Sequence, residues 1–315
     1  MLHLRTLSGR STLRALLFAS ALCVVVGSGL LAGQAMAEPA LAIQAAPAFT
    51  SDRLSVVVEG QGPDVILIPG FASSRDVWRA EADRLKATHR VHLVQLAGFA
   101  GEPWTHGDGP FVQPVIDDLA RYIREQGLGQ PAVIGHSMGG MSALMLAQQH
   151  PDLVGRVMTV DSLPFFSALF GPQVTAEAAR PFADQAAAGI LASNDADFRA
   201  GQVQGSIGYS KTPATQAAMV DWSMAGDRHA MASAIKDVMT TDLRPGLAAM
   251  TTPVWAPYAS DAEGGAPAAM ADAVWARDYA GLPNVRLIRV DGSRHFIMAD
   301  QPARFAELVD QFLAP

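Results

Sequence analysis

Several things are scarce in this chain. Among 315 residues there is a single cysteine, Cys23, which excludes a disulfide scaffold, a zinc ribbon and a CxxC redox motif. Charged residues make up only 17% and hydrophobic ones 50%, a balance that no disordered chain has. Basic side chains are outnumbered, 23 against 30 acidic ones. That argues against a general nucleic-acid binder, whose affinity rests on neutralising phosphates. The 28 glycines and 20 prolines fall short of a collagen-like or low-complexity composition. No repeat of fixed period occurs. There is no G-x-G-x-x-G after a strand, no P-loop and no H-E-x-x-H, and the scattered histidines lack ligand spacing, so no cofactor and no metal are expected. What is left is a globular α/β-sized chain, one large domain or two small ones.

The first segment reads as separate from the fold. Arg5, Arg10 and Arg14 form a basic start without acidic residues, an apolar run follows from Ala15 to Ala32, and Ala35-Met36-Ala37 supplies the small-x-small pattern of a signal-peptidase site. Residues 1–37 are therefore expected to be a signal peptide, cleaved after Ala37. The competing reading is an uncleaved anchor, because the run approaches the length of a membrane span; Gly27, Ser28 and Gly29 dilute it. Without an Arg-Arg pair, general secretion is favoured over the twin-arginine route. The expected location is periplasmic or extracellular, with no stable membrane anchor after cleavage. Residues 38–52, rich in Ala and Pro, read as a flexible leader, and residues 53–315 as the folded domain.

Within that domain strands and helices alternate. Leu54–Val58 and Val65–Ile68 are short apolar runs separated by Gly60-Gln61-Gly62-Pro63, a spacing that predicts a hairpin. A helix from Ser73 or Ser74 to Leu85, a strand over Val91–Leu96, a helix over Val115–Glu125 and a strand over Ala132–Ile134 follow. Then come a helix over Met141–Gln149 and a strand over Val157–Val160. This order implies right-handed crossovers and a mostly parallel, buried sheet. Residues 162–247 carry helical signals and no convincing strand. The alternation resumes with Val254–Tyr258, a helix over Ala268–Tyr279, Val285–Val290 and a last helix to Leu313.

The sharpest local signal is Gly135-His136-Ser137-Met138-Gly139-Gly140, between a buried strand and a helix. In a G-x-S-x-G turn the serine occupies a strained corner, and glycines flank it because strand and helix leave no room for side chains. Here the chain resembles the α/β-hydrolase superfamily, in particular small serine esterases with a lipase-type elbow, and the resemblance covers nearly the whole domain. It implies the α/β-hydrolase fold, a mostly parallel sheet flanked by helices, with a helical cap or lid at 162–247. It also implies Ser137 as nucleophile, and an oxyanion hole formed by the backbone N–H groups of Phe71, in Pro69-Gly70-Phe71, and Met138.

A serine hydroxyl needs a base. His295, in Gly292-Ser293-Arg294-His295-Phe296 after the last strand, occupies the family's position for it; His136 adjoins the serine, with its side chain expected to point away. For the acid that orients the base, Asp261, after the penultimate strand, is expected from chain order. Asp161, directly after Val157–Val160, is the alternative that some members use. Phe166 and Trp222 in the cap are candidate substrate contacts. The resemblance implies a small-molecule carboxylic ester with an apolar acyl or alcohol part as substrate. Lactone, amide, C–C hydrolysis or acyl transfer on the same triad stay open, as does a non-catalytic binding module.

Overall fold

The computed structural model describes residues 49–314; the expected signal peptide and residues 38–48 of the leader lie outside them. The chain runs β1 (Leu54–Glu59), β2 (Asp64–Ile68), α1 (Arg79–Leu85), β3 (Arg90–Leu96), α2 (Val112–Glu125), β4 (Ala132–His136), α3 (Met138–Gln149) and β5 (Arg156–Val160). Four helices follow without a strand: α4 (Ala176–Ala192), α5 (Asp195–Tyr209), α6 (Pro213–Ala225) and α7 (Arg228–Thr240). The order closes with β6 (Val254–Ser260), α8 (Ala268–Asp278), β7 (Val285–Asp291), α9 (Ile297–Asp300) and α10 (Pro302–Leu313).

The seven strands form one sheet in the order β1-β3-β2-β4-β5-β6-β7. Only β1 runs antiparallel, paired with β3 from Leu54 opposite Leu96 to Glu59 opposite Val91; the other pairs are parallel. This corrects the hairpin expected for β1 and β2, which both flank β3 and do not pair with each other. The reason lies in the turn between them. A Cβ at Gly60 would fall 2.4 Å from the carbonyl oxygens of Lys86 and His89, and one at Gly62 2.4 Å from that of Thr88. The turn is thus pressed onto the loop that enters β3, and it carries the chain across β3 to the sheet interior. There β2 is buried almost throughout, as a central strand of a parallel sheet must be.

Alternate residues of each strand feed two cores. Ile66, Ile68, Val94, Val133 and Val157 pack with α2, α3 and α8 on one face. Val65, Leu67, Leu93, Ile134 and Met158 pack with Trp78, Leu85, Phe305 and Phe312 on the other. The helical insertion between β5 and β6 stands over the carboxyl ends of the strands. Its anchors are specific: the Tyr209 carbonyl accepts from Phe296 N–H (3.1 Å), and Asp300 accepts from Ser210 Oγ (2.7 Å), Lys211 N–H (2.9 Å) and Thr212 Oγ1 (3.1 Å).

Candidate active site

The carboxyl ends of the strands are where an open parallel sheet leaves a crevice, and of the residues singled out from sequence all but Trp222 line it. Ser137 joins β4 to α3 with φ 55° and ψ −122°, a conformation that costs an L-residue free energy and persists only when its surroundings impose it. Those surroundings are tight. A Cβ at Gly135 would fall 2.1 Å from the carbonyl oxygen of Gly139, one at Gly139 2.4 Å from that of Ile68, and one at Gly140 2.6 Å from Ser162 Cβ. Ser162 Oγ donates to the Ser137 carbonyl at 2.7 Å. Of the five non-glycine residues with positive φ among those described, Ala72, Ser137 and Asp161 line this one crevice, so the backbone strain is concentrated at it.

His295 lies in the loop after β7, and its Nδ1–H donates to Asp161 Oδ2 at 2.7 Å. The carboxylate sets that tautomer and leaves Nε2 free of it. Asp161 is itself fixed: its N–H donates to the Pro257 carbonyl (2.8 Å), and its Oδ1 accepts from Ala259 N–H (2.8 Å). With φ 45°, it turns its side chain back from β5 toward the His295 loop.

The expectation that Asp261 would face His295 is corrected by this geometry. Asp261 sits past the end of β6 in a tight turn bridged to Ala266. Its carboxylate accepts from Arg294 Nε at 2.8 Å and from Lys211 Nζ at 3.5 Å. The bond from Arg294 lowers its pKa below the usual carboxylate value, with Lys211 acting in the same direction. The cation that holds Asp261 is the residue immediately before His295. That neighbour was visible in Ser293-Arg294-His295, and it was the available signal against Asp261.

Phe71 and Met138 both line the crevice. Met138 opens α3, so its N–H is one of those a helix cannot satisfy from within, and the Phe71 N–H donates to nothing among the described residues. Of the two cap candidates, Phe166 lines the cavity and Trp222 does not. On α6 the cavity-facing residues are Met219 and Ser223, one turn apart. Trp222 falls on the adjoining face and packs, half-buried, against the core beneath α1 and α10.

Sequence reasoning missed two residues here. His136 is not turned away from the site: 1% exposed, it donates from Nε2 to the His295 carbonyl at 3.0 Å, and its ring lies 4.5 Å from the His295 ring. Burial pushes its pKa well below that of free histidine, and the neighbouring His295 adds to the effect. Asp300 accepts from Arg294 N–H (2.9 Å) as well as from the 210–212 segment, tying the His295 loop to the insertion. Nothing in sequence spacing marked it.

Ser137, His295, Asp161, Phe71 and Met138 share one cavity of about 690 Å³. The sequence model of the alpha/beta hydrolase family matches residues 65–308, and the chain belongs to that family. Among solved structures, a hydrolase from Pseudomonas aeruginosa superposes with a TM-score of 0.68 at 20% identity, over 83% of this chain and 94% of that one. An enol-lactonase from Burkholderia xenovorans does so with 0.68 at 17% identity, over 82% and 96%. At such identities the likeness concerns the fold. Curated relatives include the pimeloyl-[acyl-carrier protein] methyl ester esterases of Vibrio atlanticus, 33% identical over 122 residues (39% of this chain, 45% of that one), and of Aeromonas hydrophila, 36% identical over 118 residues (36% and 44%). The matched stretch spans less than half the length of those relatives.

Proposed function

We propose that the protein is a serine hydrolase that cleaves carboxylic esters through an acyl-enzyme. The observation that carries this reading is the 2.7 Å bond from His295 Nδ1–H to Asp161, beside a serine held at φ 55° in the same cavity. With Nδ1 engaged, His295 Nε2 is the nitrogen that takes the Ser137 proton as Oγ attacks the ester carbonyl. Asp161 stabilises the imidazolium that forms. The N–H groups of Phe71 and Met138 hold the oxyanion as the tetrahedral intermediate develops. His295 then gives its proton to the leaving alcohol, and in the second half it deprotonates the water that releases the acid. The ester-cleaving names of the curated relatives support an ester over other acyl bonds. The helical insertion acts as the cap of this site, and residues 1–37 direct export.

The test is direct. The purified protein is expected to hydrolyse p-nitrophenyl butyrate and to be labelled by a fluorophosphonate probe, and Ser137→Ala is expected to lose both. Labelling that survives the substitution would place the nucleophile elsewhere.

A further inference from the structure

We infer that helix α5 forms the specificity wall of this cavity, and that the ester it admits carries a bulky, uncharged apolar group rather than only short aliphatic ones. The inference rests on the esterase reading above and names its substrate class. The site is the cavity, marked by Ser137 and His295; His136, 1% exposed, lines it too, with an Nδ1 that has no partner among the described residues.

Helix α5 carries Gly201, Gly205 and Gly208, spaced four and three residues apart, so they share one face. Apart from proline, glycine is the least favourable residue in a helix interior, and here the backbone does not require it. None of the three has a positive φ. A Cβ at 201 or 208 would meet nothing within 4 Å, and one at 205 only the Tyr209 ring at 3.9 Å. All three line the cavity. The opposite face bears Val203 and Ile207, each 47% exposed. An ordinary amphipathic helix turns such side chains toward the protein; α5 presents them to solvent and borders the cavity with its three glycines, flanked by Gln202 and Tyr209. The glycines leave empty volume in the cavity that Ser137 also lines.

The rest of the wall indicates what fills that volume. Phe166, Leu169, Met219, Val238 and Met270 are apolar lining residues. Asp261 and Arg294, the charged lining residues apart from Asp161, bond to each other at 2.8 Å, which leaves an apolar occupant as the best match. About 690 Å³ lies in the range that encloses a whole drug-sized ligand, whereas a short aliphatic ester leaves most of it unfilled.

The experiment compares kcat/KM for 2-naphthyl butyrate and for ethyl acetate in the wild type, Gly205→Ala, Gly205→Leu and Gly208→Leu. The expected result is a naphthyl-over-ethyl selectivity ratio at least tenfold lower in either leucine variant, since a few added methylenes in a fitted pocket discriminate on that scale. Gly205→Ala is expected to raise Tm while lowering the same ratio. A ratio unchanged in both leucine variants overturns the inference. A second readout does not depend on turnover: Ser137→Ala protein, with and without Gly205→Leu, is titrated with 2-naphthyl butyrate by calorimetry. The leucine is expected to raise Kd at least tenfold; an equal Kd, or no binding to Ser137→Ala alone, overturns the wall. Absent turnover and absent Ser137 labelling in the wild type would instead overturn the esterase reading, with the titration still deciding the wall.

Discussion

At the carboxyl edge of the sheet, Gly135, Gly139 and Gly140 stand where any side chain would collide, at 2.1, 2.4 and 2.6 Å from the nearest atom. In the helical insertion, Gly189, Gly201 and Gly208 face nothing within 4 Å. The same residue type is thus forced in one region and leaves room in the other. Around Ser137, close packing holds a strained turn in place, and the strain persists only because its neighbours cannot move. In the insertion, α4 buries only alanines, Ala179, Ala183 and Ala187, and α5 borders the cavity with three glycines, so volume there is left unfilled. The comparison implies that chemistry is sensitive to change at the sheet edge, and substrate preference to change in the insertion.

The sharpest test of that division sets two aspartates against each other. Asp161→Asn, at the sheet edge, keeps the shape but favours the wrong imidazole tautomer, and kcat is expected to fall by up to ~10⁴, the scale seen for that change in a serine protease. Asp261→Asn, in the turn beyond β6, is expected to cost under about tenfold, through its bonds to Arg294 and Lys211. Steady-state hydrolysis of p-nitrophenyl butyrate decides it, and the reverse order would return the acid to Asp261.

Next in size is a glycine pair. Gly139→Ala drives a Cβ against the Ile68 carbonyl and is expected to destabilise the fold by roughly 3 kcal/mol. Gly189→Ala, in α4, is expected to stabilise it by about 0.5–1 kcal/mol. Urea midpoints of the two variants moving in the same direction would break the comparison.

Two histidines separate the regions by pH. Burial keeps His136 neutral in the fold, its pKa well below the ordinary value, while in the unfolded chain it titrates near 6.5. Its contribution is complete above about pH 6.5 and is lost as pH falls, by at most about 1.4 kcal/mol per unit, because the unfolded state binds a proton the folded state does not. His136→Gln should flatten that slope; an unchanged slope would assign the acid sensitivity to another group. His229 in α7 has the opposite sign: the hydrogen bond to Asp108 raises its pKa, so its contribution is present at low pH and fades as pH rises past its folded value. Exposed to solvent, it should leave only a faint trace in the same titration.

The smallest expected effect concerns acyl-chain preference. Phe166→Ala, in the cavity wall, should move the p-nitrophenyl ester chain-length optimum by one or two carbons, at roughly 0.8 kcal/mol per buried methylene. Trp222→Ala should lower stability and leave the optimum where it is. A shifted optimum in Trp222→Ala would bring that residue back to the cavity.

Much of the fold was legible because its signals are local. The β-branched runs, the breaks at Gly and Pro and the strand–turn–helix around Ser137 are all contained in a few consecutive residues, and the helical insertion announced itself as a stretch without strands. The pairing of β1 was not legible. An antiparallel run beside a Gly-Pro turn suits a hairpin equally well, and only the packing of that turn on Lys86–His89 sends β2 past β3. Trp222 was misjudged for a related reason: helical spacing defines which residues share a face, but not which face looks into the cavity.

Residue type and spacing along the chain were enough to place most of the elements, the strand–turn–helix at Ser137 and the His295 loop after the last strand. Tertiary structure alone decided which aspartate meets His295, that His136 clasps the His295 loop, and that three glycines of α5 border a space. Those outcomes depend on the direction in which a side chain leaves its backbone. At Asp161 a positive φ of 45° and a β6 N–H aim the carboxylate at the histidine, while at Asp261 a nearer cation claims it. Coulombic attraction and hydrogen-bond geometry act over a few ångströms of space, and separation along the chain does not reveal which groups come that close.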